Sequence, residues 1–216
     1  MNRKGERTRE QLMDAAAALF AERGIDGVTM AELHEETGQR NKSAVQYHFG
    51  SRDGLLRAIV QRHLGRADQR RAEMLAAVDP NDIGELVRAF VEPTLTNLHD
   101  EHGRKYLRIV PYVADRYGLA DRLASVGGLL ADTIDLMGDA MGEMDENVRV
   151  IRLGAALDLL IDSLAHRARR IDKNVPLWLD EAMFTENLIA MIEGLLSAPV
   201  PAGARTPISA GAAPTA

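Results

Sequence analysis

The chain has 216 residues, of which 46% are hydrophobic and 27% are charged, a balance typical of a globular protein and not of a disordered one. It contains no cysteine, which excludes disulfide scaffolds, thiolate zinc sites and cysteine nucleophiles. No apolar run approaches the roughly 18 residues that cross a bilayer, and the first residues lack the apolar core of a signal peptide. We therefore expect a cytoplasmic protein with no membrane contact.

The formal net charge of −6 is distributed unevenly along the chain. Up to Ala72 there are 13 basic and 10 acidic residues, whereas the remainder carries 13 basic and 22 acidic residues. The basic residues of the first part are concentrated at the start of the chain and around Arg40 and Arg52. The two parts are therefore expected to face different partners.

A first helix is predicted from Thr8 to Gly24. Thr8 is followed by Gln11 three residues later, the spacing of a capping box at a helix start. Apolar residues then recur on one helical face until Gly24, which can adopt the left-handed conformation that ends a helix.

A second, shorter helix is predicted between Thr29 and Gly38. Thr29 and Glu32 form another capping box, and Val28 and Leu33 occupy the two positions of a hydrophobic staple. Gly38 ends this segment after about two turns.

A third helix is predicted after the turn that follows Gly38. Asn41 can cap this helix, in which Ala44, Val45 and Phe49 are spaced to face inward. The polar residues between them are left on the outer side.

The rest of the chain up to Leu196 is also predicted to be helical. Gly50 and Ser51 separate the third helix from a long fourth helix, which continues to Asp79 and Pro80. Asn81 or Asp82 begins the next helix, in which Pro93 predicts a kink. Further helices are predicted at about 104–117, 119–142, 146–171 and 178–197, with breaks at Gly103, Gly118 and 174–176.

These elements predict an all-α fold, since no strand-like alternation is found. A three-helix helix-turn-helix module, residues 1–50, is joined by the long fourth helix to an all-helical second domain, residues 51–197. Residues 198–216 are rich in Ala, Pro, Gly, Ser and Thr, and we expect this tail to be disordered because it cannot bury enough apolar surface.

The three short helices match the helix-turn-helix plan, which lays its last helix in the major groove of DNA. Arg pairs with guanine and Gln or Asn with adenine, while Lys and Tyr suit phosphate oxygens. A capped helix start also directs free N–H groups towards a phosphate. The candidate DNA-binding residues are Thr29, Arg40, Asn41, Lys42, Ser43, Gln46, Tyr47, His48 and Arg52. The same pattern also fits an ordinary helical bundle with a polar outer face.

The stretch from Thr29 to Leu56, TMAELHEETGQRNKSAVQYHFGSRDGLL, closely resembles the DNA-binding signature of the TetR family of bacterial transcriptional regulators. The likeness extends back to Thr8 and covers residues 8 to about 60. It implies phosphate contacts for Thr29 and Lys42. The turn is one residue longer than the commonest turn of the family, so either Arg40 or Asn41 begins the recognition helix.

The resemblance also assigns roles to the residues that follow the turn. Tyr47 matches a phosphate-binding aromatic residue, His48 is a second candidate for phosphate, and Phe49 packs inside. Arg52 stands where the family commonly has a Lys, and it keeps the positive charge.

TetR-like proteins dimerise through their last two long helices, which here would be 146–171 and 178–197. Two recognition helices about 34–36 Å apart would then demand a palindromic operator. Candidate contacts, which would serve equally well in an ordinary core, are Val148, Ile151, Ala155, Leu159, Trp178 and Phe184.

Family members usually sense a small molecule in a cavity among the middle helices, which implies a ligand-responsive repressor here. Tilting of the fourth helix would move the DNA-binding helices. The candidate lining residues, mostly aliphatic and equally suited to a plain core, are Phe90, Leu95, Tyr106, Ile109, Tyr112, Val113, Met137, Met141, Leu157 and Ile161. If a cavity exists, this composition favours a small apolar effector.

Two polar groups could suggest other chemistry. Asp158, Asp162 and His166 have a spacing that could hold a metal, but acidic residues followed by basic ones complement a helix dipole, which favours a solvated or dimer-facing stripe. His99 and His102 are interpreted as surface residues. With no enzyme motif found, we expect no catalytic residue, no metal and no cofactor. A helical scaffold for protein–protein contacts is the alternative function.

Overall fold

A computed structural model of the chain describes residues 3–36, 44–115 and 127–200. Within these ranges the chain is helical and contains no strand, which confirms the all-α fold. The helices there are α1 (Arg3–Arg23), α2 (Met30–Glu36), α3 (Ala44–Phe49), α4 (Arg52–Leu75), α5 (Ile83–Leu95), a 3-10 turn (Thr96–Leu98), α6 (Glu101–Ala114), α7 (Leu129–Ala140), α8 (Glu146–Asp172) and α9 (Glu181–Leu196).

Helix α1 begins at Arg3, five residues before the predicted start at Thr8. The residues before Thr8 are mainly Arg, Lys and Glu, which are good helix formers, so the helix extends through the predicted capping box. Its apolar face buries Leu12 and Phe20. Gly24 ends the helix as predicted, with a φ of +73° and a hydrogen bond from its N–H to the Phe20 carbonyl of 3.0 Å.

The signals predicted at the start of α2 and on the inner side of α3 are found in the structure. The Thr29–Glu32 capping box precedes α2, and Val28 and Leu33 are both buried, as a hydrophobic staple requires. Val45 of α3 is fully buried. The predicted helix end at Gly38 and the cap at Asn41 lie outside the described residues.

Helix α4 leads from the first three helices into the rest of the molecule. Gly50, with a φ of +72°, separates it from α3, and the Ser51 side chain caps it by accepting a hydrogen bond from the Gly54 N–H at 3.0 Å. The helix ends at Leu75, before the predicted end at Asp79 and Pro80. Its inner face packs on α5, α6 and α7.

Helix α5 begins where Asp82 caps it by accepting from the Glu85 N–H at 3.0 Å. The helix continues for two residues beyond Pro93 and then tightens into the 3-10 turn. This change of helix type stands where the sequence predicted a kink.

The predicted break at Gly103 is wrong, because Gly103 lies in the first turn of α6. Its N–H donates to the Asp100 side chain at 2.7 Å, which makes Asp100 the helix cap. A Cβ at this position would lie 2.3 Å from the Asn97 carbonyl oxygen. Glycine is needed here because the preceding turn passes very close to the helix, and not because the helix stops.

The last helices surround the core from the other side. Helix α7 begins at Leu129, ten residues after the predicted start, and the predicted break at Gly118 lies outside the described residues. Helix α8 packs on α6 and α9, and α9 packs on α5. The buried side chains form one continuous cluster from Leu12 in α1 to Leu196 in α9.

Beyond α9, Ser197 to Val200 form no helix, and the rest of the predicted tail lies outside the described residues. Among the helices that the structure describes, none is sufficiently long and apolar to cross a membrane.

Candidate nucleic-acid interface and ligand cavity

The start of α2 is an exposed hydrogen-bonded group built from Thr29 and Glu32. The Thr29 N–H and hydroxyl donate to Glu32 Oε2 at 2.8 and 2.7 Å, and the Glu32 N–H donates to Thr29 Oγ1 at 3.3 Å. Arg23 adds an ion pair to Glu32 at 3.0 Å. The hydrogen bonds from Thr29 lower the pKa of the Glu32 carboxyl. A phosphate that binds this helix start has to displace the Glu32 carboxylate from the Thr29 hydroxyl.

Helix α3 presents polar side chains to solvent. Tyr47 is 83% exposed, and Gln46 beside it is exposed as well. The Tyr47 ring meets His48 edge-on, with 4.9 Å between the ring centroids. Val45 and Phe49 hold the helix from the inner side, and the Arg9 guanidinium lies 5.3 Å from the centroid of the Phe49 ring. Gln46 and Tyr47 are therefore free to contact a partner.

The remaining DNA-binding candidates divide into two groups. Arg40, Asn41, Lys42 and Ser43 lie outside the described residues. Arg52 is half-buried, with its guanidinium 5.5 Å from the centroid of the Phe20 ring. Its Nε and Nη2 atoms are buried and have no hydrogen-bond partner among the described residues. The structure thus brings Gln46, Tyr47 and His48 together on α3 and places Arg52 over the core of the module.

Ion pairs join α1 to α4 and α6. Arg62 Nη1 of α4 lies 2.9 Å from both Glu10 Oε2 and Asp14 Oδ1. His102 of α6 lies 3.5 Å from the same Asp14 carboxylate. These contacts tie the first helix of the DNA-binding candidate to the helices that form the middle of the molecule.

Arg108 of α6 makes a second link between α1 and the rest of the molecule. Arg108 Nη2 donates to the Ala21 carbonyl near the end of α1 at 2.5 Å, and Arg108 Nη1 pairs with Asp172 at 3.2 Å. Arg104 Nε lies 2.6 Å from the other oxygen of Asp172, the last residue of α8. One carboxylate of α8 therefore holds both arginines, of which Arg108 contacts the end of α1.

An apolar cavity of about 110 Å³ lies among α4, α5, α6, α7 and α8. Its wall is aliphatic except for Thr94 and Tyr106. The lining residues are Val60, Leu64, Thr94, Tyr106, Leu107, Val110, Val113, Ala114, Leu130, Leu157, Leu160, Ile161 and Leu164.

Of the effector candidates, Tyr106, Val113, Leu157 and Ile161 line this cavity. The others do not line it: Phe90, Leu95, Ile109 and Met137 are buried in the core, Tyr112 is exposed, and Met141 is half-buried. Most lining residues that were not named, such as Leu160 and Leu164, follow the same inward periodicity. That periodicity could have found them, but it does not distinguish a cavity wall from a filled core.

Buried polar side chains stand behind one wall of the cavity. His63 of α4 stacks on Tyr106, with ring centroids 4.5 Å apart, and its Nδ1 lies 3.1 Å from Asn97 Oδ1. Burial lowers the pKa of His63 to about 4, so the ring is neutral at neutral pH. Burial also raises the pKa of Tyr106 and lowers that of Arg71. The sequence reading missed this group, because polar residues on a helix are expected to face solvent.

The residues considered above as a possible metal site, Asp158, Asp162 and His166, do not line the cavity. Within the described ranges, no cluster of three or more His, Asp or Glu side chains could hold a metal ion. Asp162 and His166 are exposed on α8, and Asp158 is half-buried. His99 Nε2 lies 3.0 Å from Glu181 Oε1 at the start of α9.

The dimer candidates differ widely in exposure. Ile151 of α8 is 60% exposed and Trp178, in the loop before α9, is 89% exposed. Phe184 is half-buried, with the Arg167 guanidinium 4.4 Å from its ring centroid. The other candidates, Val148, Ala155 and Leu159, are half-buried.

Comparison with known proteins places the likeness in the region of α1 to α4. Residues 12–59 match the family model described as bacterial regulatory proteins, tetR family. The matched range begins inside α1, contains all of α2 and α3, and ends within α4. It therefore includes the Thr29–Glu32 capping box and the exposed side chains of α3 described above.

Individual relatives extend this likeness. The HTH-type transcriptional repressor AcnR of Corynebacterium glutamicum is 30% identical over 89 residues, which cover 41% of this chain and 43% of the repressor. The match thus spans less than half the length of that relative. The HTH-type transcriptional activator FasR of Mycolicibacterium smegmatis is 26% identical over 182 residues, covering 80% of this chain and 81% of FasR.

The fold has solved counterparts. A protein of Shewanella sp. PV-4, assigned to the tetR family of transcription regulators, superposes with a TM-score of 0.56 at 17% identity and covers 87% of this chain and 96% of its own. The all-helical architecture described above is therefore shared over most of the chain. Residues 12–59 therefore carry the sequence region typical of bacterial regulatory proteins of the tetR family, and the fold of most of the chain is shared with the solved structure.

Proposed function

We propose that this protein is a DNA-binding transcriptional regulator, a ligand-responsive repressor that binds a palindromic operator as a homodimer. The observation that carries the proposal is the exposed outer side of α3, where Gln46 and Tyr47 project from a short helix inside the matched family region. A helix anchored by its apolar side and polar outside is what entry into a major groove requires. Such a regulator works in the cytoplasm, where the chromosome is.

Residues 1–50 are proposed to read the DNA. Thr29, Lys42, Tyr47, His48 and Arg52 would contact phosphates, and these contacts would set the position of the protein on the duplex. The residues Arg40, Asn41, Ser43 and Gln46 would meet base edges and supply sequence preference.

The homodimer is proposed to form through α8 and α9. Ile151 and Trp178 expose large apolar surfaces there, and a second copy of the chain would cover them. A two-fold symmetric dimer carries two copies of α3, and a pair separated by one helical turn of DNA selects a palindrome.

We propose that a ligand bound among residues 51–197 changes the position of the DNA-binding residues 1–50. Helix α6 lines the cavity with Tyr106 and Val110, and the same helix holds the end of α1 through Arg108. A small apolar effector that favours a different position of α6 would therefore move α1, and the effector must bind that position more tightly to shift the equilibrium.

The experiment is selection of bound fragments from random duplex DNA, followed by gel-shift titrations of the selected operator at several salt concentrations. We expect a palindromic sequence and affinity that falls steeply with salt, because several phosphates are neutralised. Lys42→Ala should weaken all sequences alike, whereas Gln46→Ala should alter the preferred sequence. The exposed Arg70→Ala on α4 is the matched charge control.

The proposal fails if the selected sequences share no palindrome and binding does not depend on salt. Capture of a defined protein partner by a chain that ignores DNA would favour the scaffold function instead. A reporter gene placed behind the operator then distinguishes repression from activation.

A further inference from the structure

The cavity wall is almost entirely aliphatic. Eleven of the thirteen lining residues are aliphatic, and the two polar ones, Thr94 of α5 and Tyr106 of α6, belong to the wall next to the buried polar group. An occupant therefore needs a hydrocarbon body and can use at most one polar end. What that polar end should be depends on the groups behind Thr94 and Tyr106.

Arg71 of α4 lies directly behind Thr94. The Arg71 side chain is fully buried, its Nη2 donates to Thr94 Oγ1 at 3.2 Å, and its Nη1 pairs with Asp68 Oδ1 at 3.1 Å. The Nε–H of Arg71 is buried and has no hydrogen-bond partner among the described residues. A guanidinium with an unused donor thus lies one hydrogen bond away from the cavity.

The Asp68 carboxylate compensates this buried cation incompletely. Asp68 is 29% exposed, so water weakens its attraction to Arg71. The pKa of Arg71 is lowered because burial outweighs the effect of Asp68. A second anion or acceptor close to Arg71 would therefore be stabilised.

The neighbouring Tyr106 and His63 do not supply a competing charge. The two rings are stacked, and His63 is neutral at neutral pH because burial lowers its pKa to about 4. Tyr106 keeps its proton because burial raises its pKa. Among the described residues at this wall, Arg71 thus carries the positive charge that an occupant would meet.

Thr94 can adapt to such an occupant. Its hydroxyl now donates to the Phe90 carbonyl at 3.3 Å and accepts from Arg71. A carboxylate at the wall can accept from the Thr94 hydroxyl after a rotation of that group, while Thr94 Oγ1 continues to accept from Arg71 Nη2. This change does not require the helices to separate.

We propose that the cavity binds a short aliphatic carboxylate, with its hydrocarbon chain among the aliphatic side chains and its carboxylate at Thr94 and Arg71. This ligand class rests on the proposed function only in treating the cavity as the effector site. An apolar cavity of roughly 150 Å³ accepts the six carbons of benzene, so about 110 Å³ suits a hydrocarbon chain of about five carbons, the number that hexanoate has beyond its carboxylate.

The test is isothermal titration of the full-length protein, without DNA, with three probes of equal chain length: hexanoate, 1-hexanol and hexylamine. At neutral pH we expect hexanoate to bind at least tenfold more tightly than 1-hexanol, and hexylamine to bind more weakly than both. Equal binding of the three probes, a preference for the alcohol or the amine, or no binding of hexanoate at millimolar concentration overturns the proposal.

Two substitutions locate the binding. Thr94→Val should reduce the preference for hexanoate over 1-hexanol to threefold or less, whereas the matched Thr133→Val, at a buried threonine of α7 that does not line the cavity, should leave it unchanged. Ala114→Leu should fill part of the cavity and weaken hexanoate and 1-hexanol alike. Unchanged hexanoate binding in both Thr94→Val and Ala114→Leu overturns the assignment to this cavity.

Failure of this proposal can be distinguished from failure of the proposed function. Operator binding by the unliganded protein is measured in the separate gel-shift series and involves none of these probes. Hexanoate binding that leaves operator affinity unchanged would keep the ligand class and remove the cavity from the regulation of DNA binding.

Discussion

Arg108 of α6 donates a hydrogen bond to the backbone carbonyl of Ala21, two residues before the end of α1. The last carbonyls of a helix have no partner within the helix, and a guanidinium there also complements the negative end of the helix dipole. Since Asp172 holds the same guanidinium, the C-terminal end of α1 is tied to both α6 and α8.

Arg108→Ala should therefore lower the free energy of unfolding by about 1.5–3 kcal/mol, the range for a hydrogen bond to a charged group. The measurement is urea denaturation followed by circular dichroism. Arg70→Ala is the control, since Arg70 and its partner Glu73 are both more than half exposed, and it should change stability by less than about 0.5 kcal/mol. Equal effects of the two substitutions would contradict the role of Arg108.

Thr29→Ala should destabilise α2 by about 1 kcal/mol, because it removes the hydroxyl that accepts from the Glu32 N–H. Thr29→Ser keeps a hydroxyl at the cap and serves as the control. If Thr29 also contacts phosphate, operator affinity should fall in the alanine variant and be largely retained in the serine variant. Urea denaturation and gel-shift titration measure the two effects separately, and a serine variant as weak as the alanine variant would argue against hydroxyl recognition.

Tyr47→Phe should leave stability within about 0.5 kcal/mol of the wild type, because the side chain is 83% exposed. Operator affinity should fall about fivefold, which corresponds to the loss of about 1 kcal/mol from one hydrogen bond. Tyr112→Phe, at another exposed tyrosine on α6, should bind the operator as the wild type does. Tyr47 is not a DNA contact if the two variants bind alike.

The stability of the protein should decrease as the pH falls from about 6.5 to about 4 because of His63. Burial lowers the pKa of this ring to about 4 in the folded protein, whereas the unfolded chain takes up the proton near pH 6.5. Between these values the unfolded state binds more protons, and the slope contributed by His63 approaches 1.4 kcal/mol per pH unit. His63→Gln should remove this part of the slope in urea denaturation.

An NMR titration of the histidine rings provides the direct measurement of the pKa of His63. We expect about 4 for the ring that stacks on Tyr106. A value near 6.5 would show that the ring is accessible to water and would contradict the burial of the polar group behind the cavity.

Ile151→Glu should weaken the dimer at least a hundredfold, because the interface would bury an unpaired carboxylate. The monomer should stay folded, since Ile151 is 60% exposed in the single chain. Sedimentation equilibrium gives the dimer dissociation constant, and far-ultraviolet circular dichroism gives the helix content. Tyr112→Glu, at an exposed residue of α6, is the control, and an unchanged dimer in Ile151→Glu would place the interface elsewhere.

Helix starts and ends were predictable where the signal is local. The Thr29–Glu32 box and the Gly24 stop depend on atoms only three or four residues apart, so the residue types alone reveal them. Gly103 was misread because glycine signals both a helix end and a close approach of two segments. The approach to the Asn97 carbonyl becomes visible only when both segments are placed.

The candidate site shows the same division. The sequence identified Gln46 and Tyr47 as outward-facing and Val45 as buried, since the turn of a helix sets these directions. It also suggested that aliphatic residues of the middle helices face inward. It could not separate Tyr106 and Leu157, which line the cavity, from Phe90 and Met137, which fill the core.

The sequence by itself determined the helical fold and the outward-facing residues of α3, because helix periodicity and capping involve neighbours along the chain. Only the tertiary structure decided where the cavity lies, that Arg71 stands behind its wall and that Arg108 reaches α1. These features join residues from different helices, and their geometry depends on how the helices pack and on the volume that their side chains leave empty.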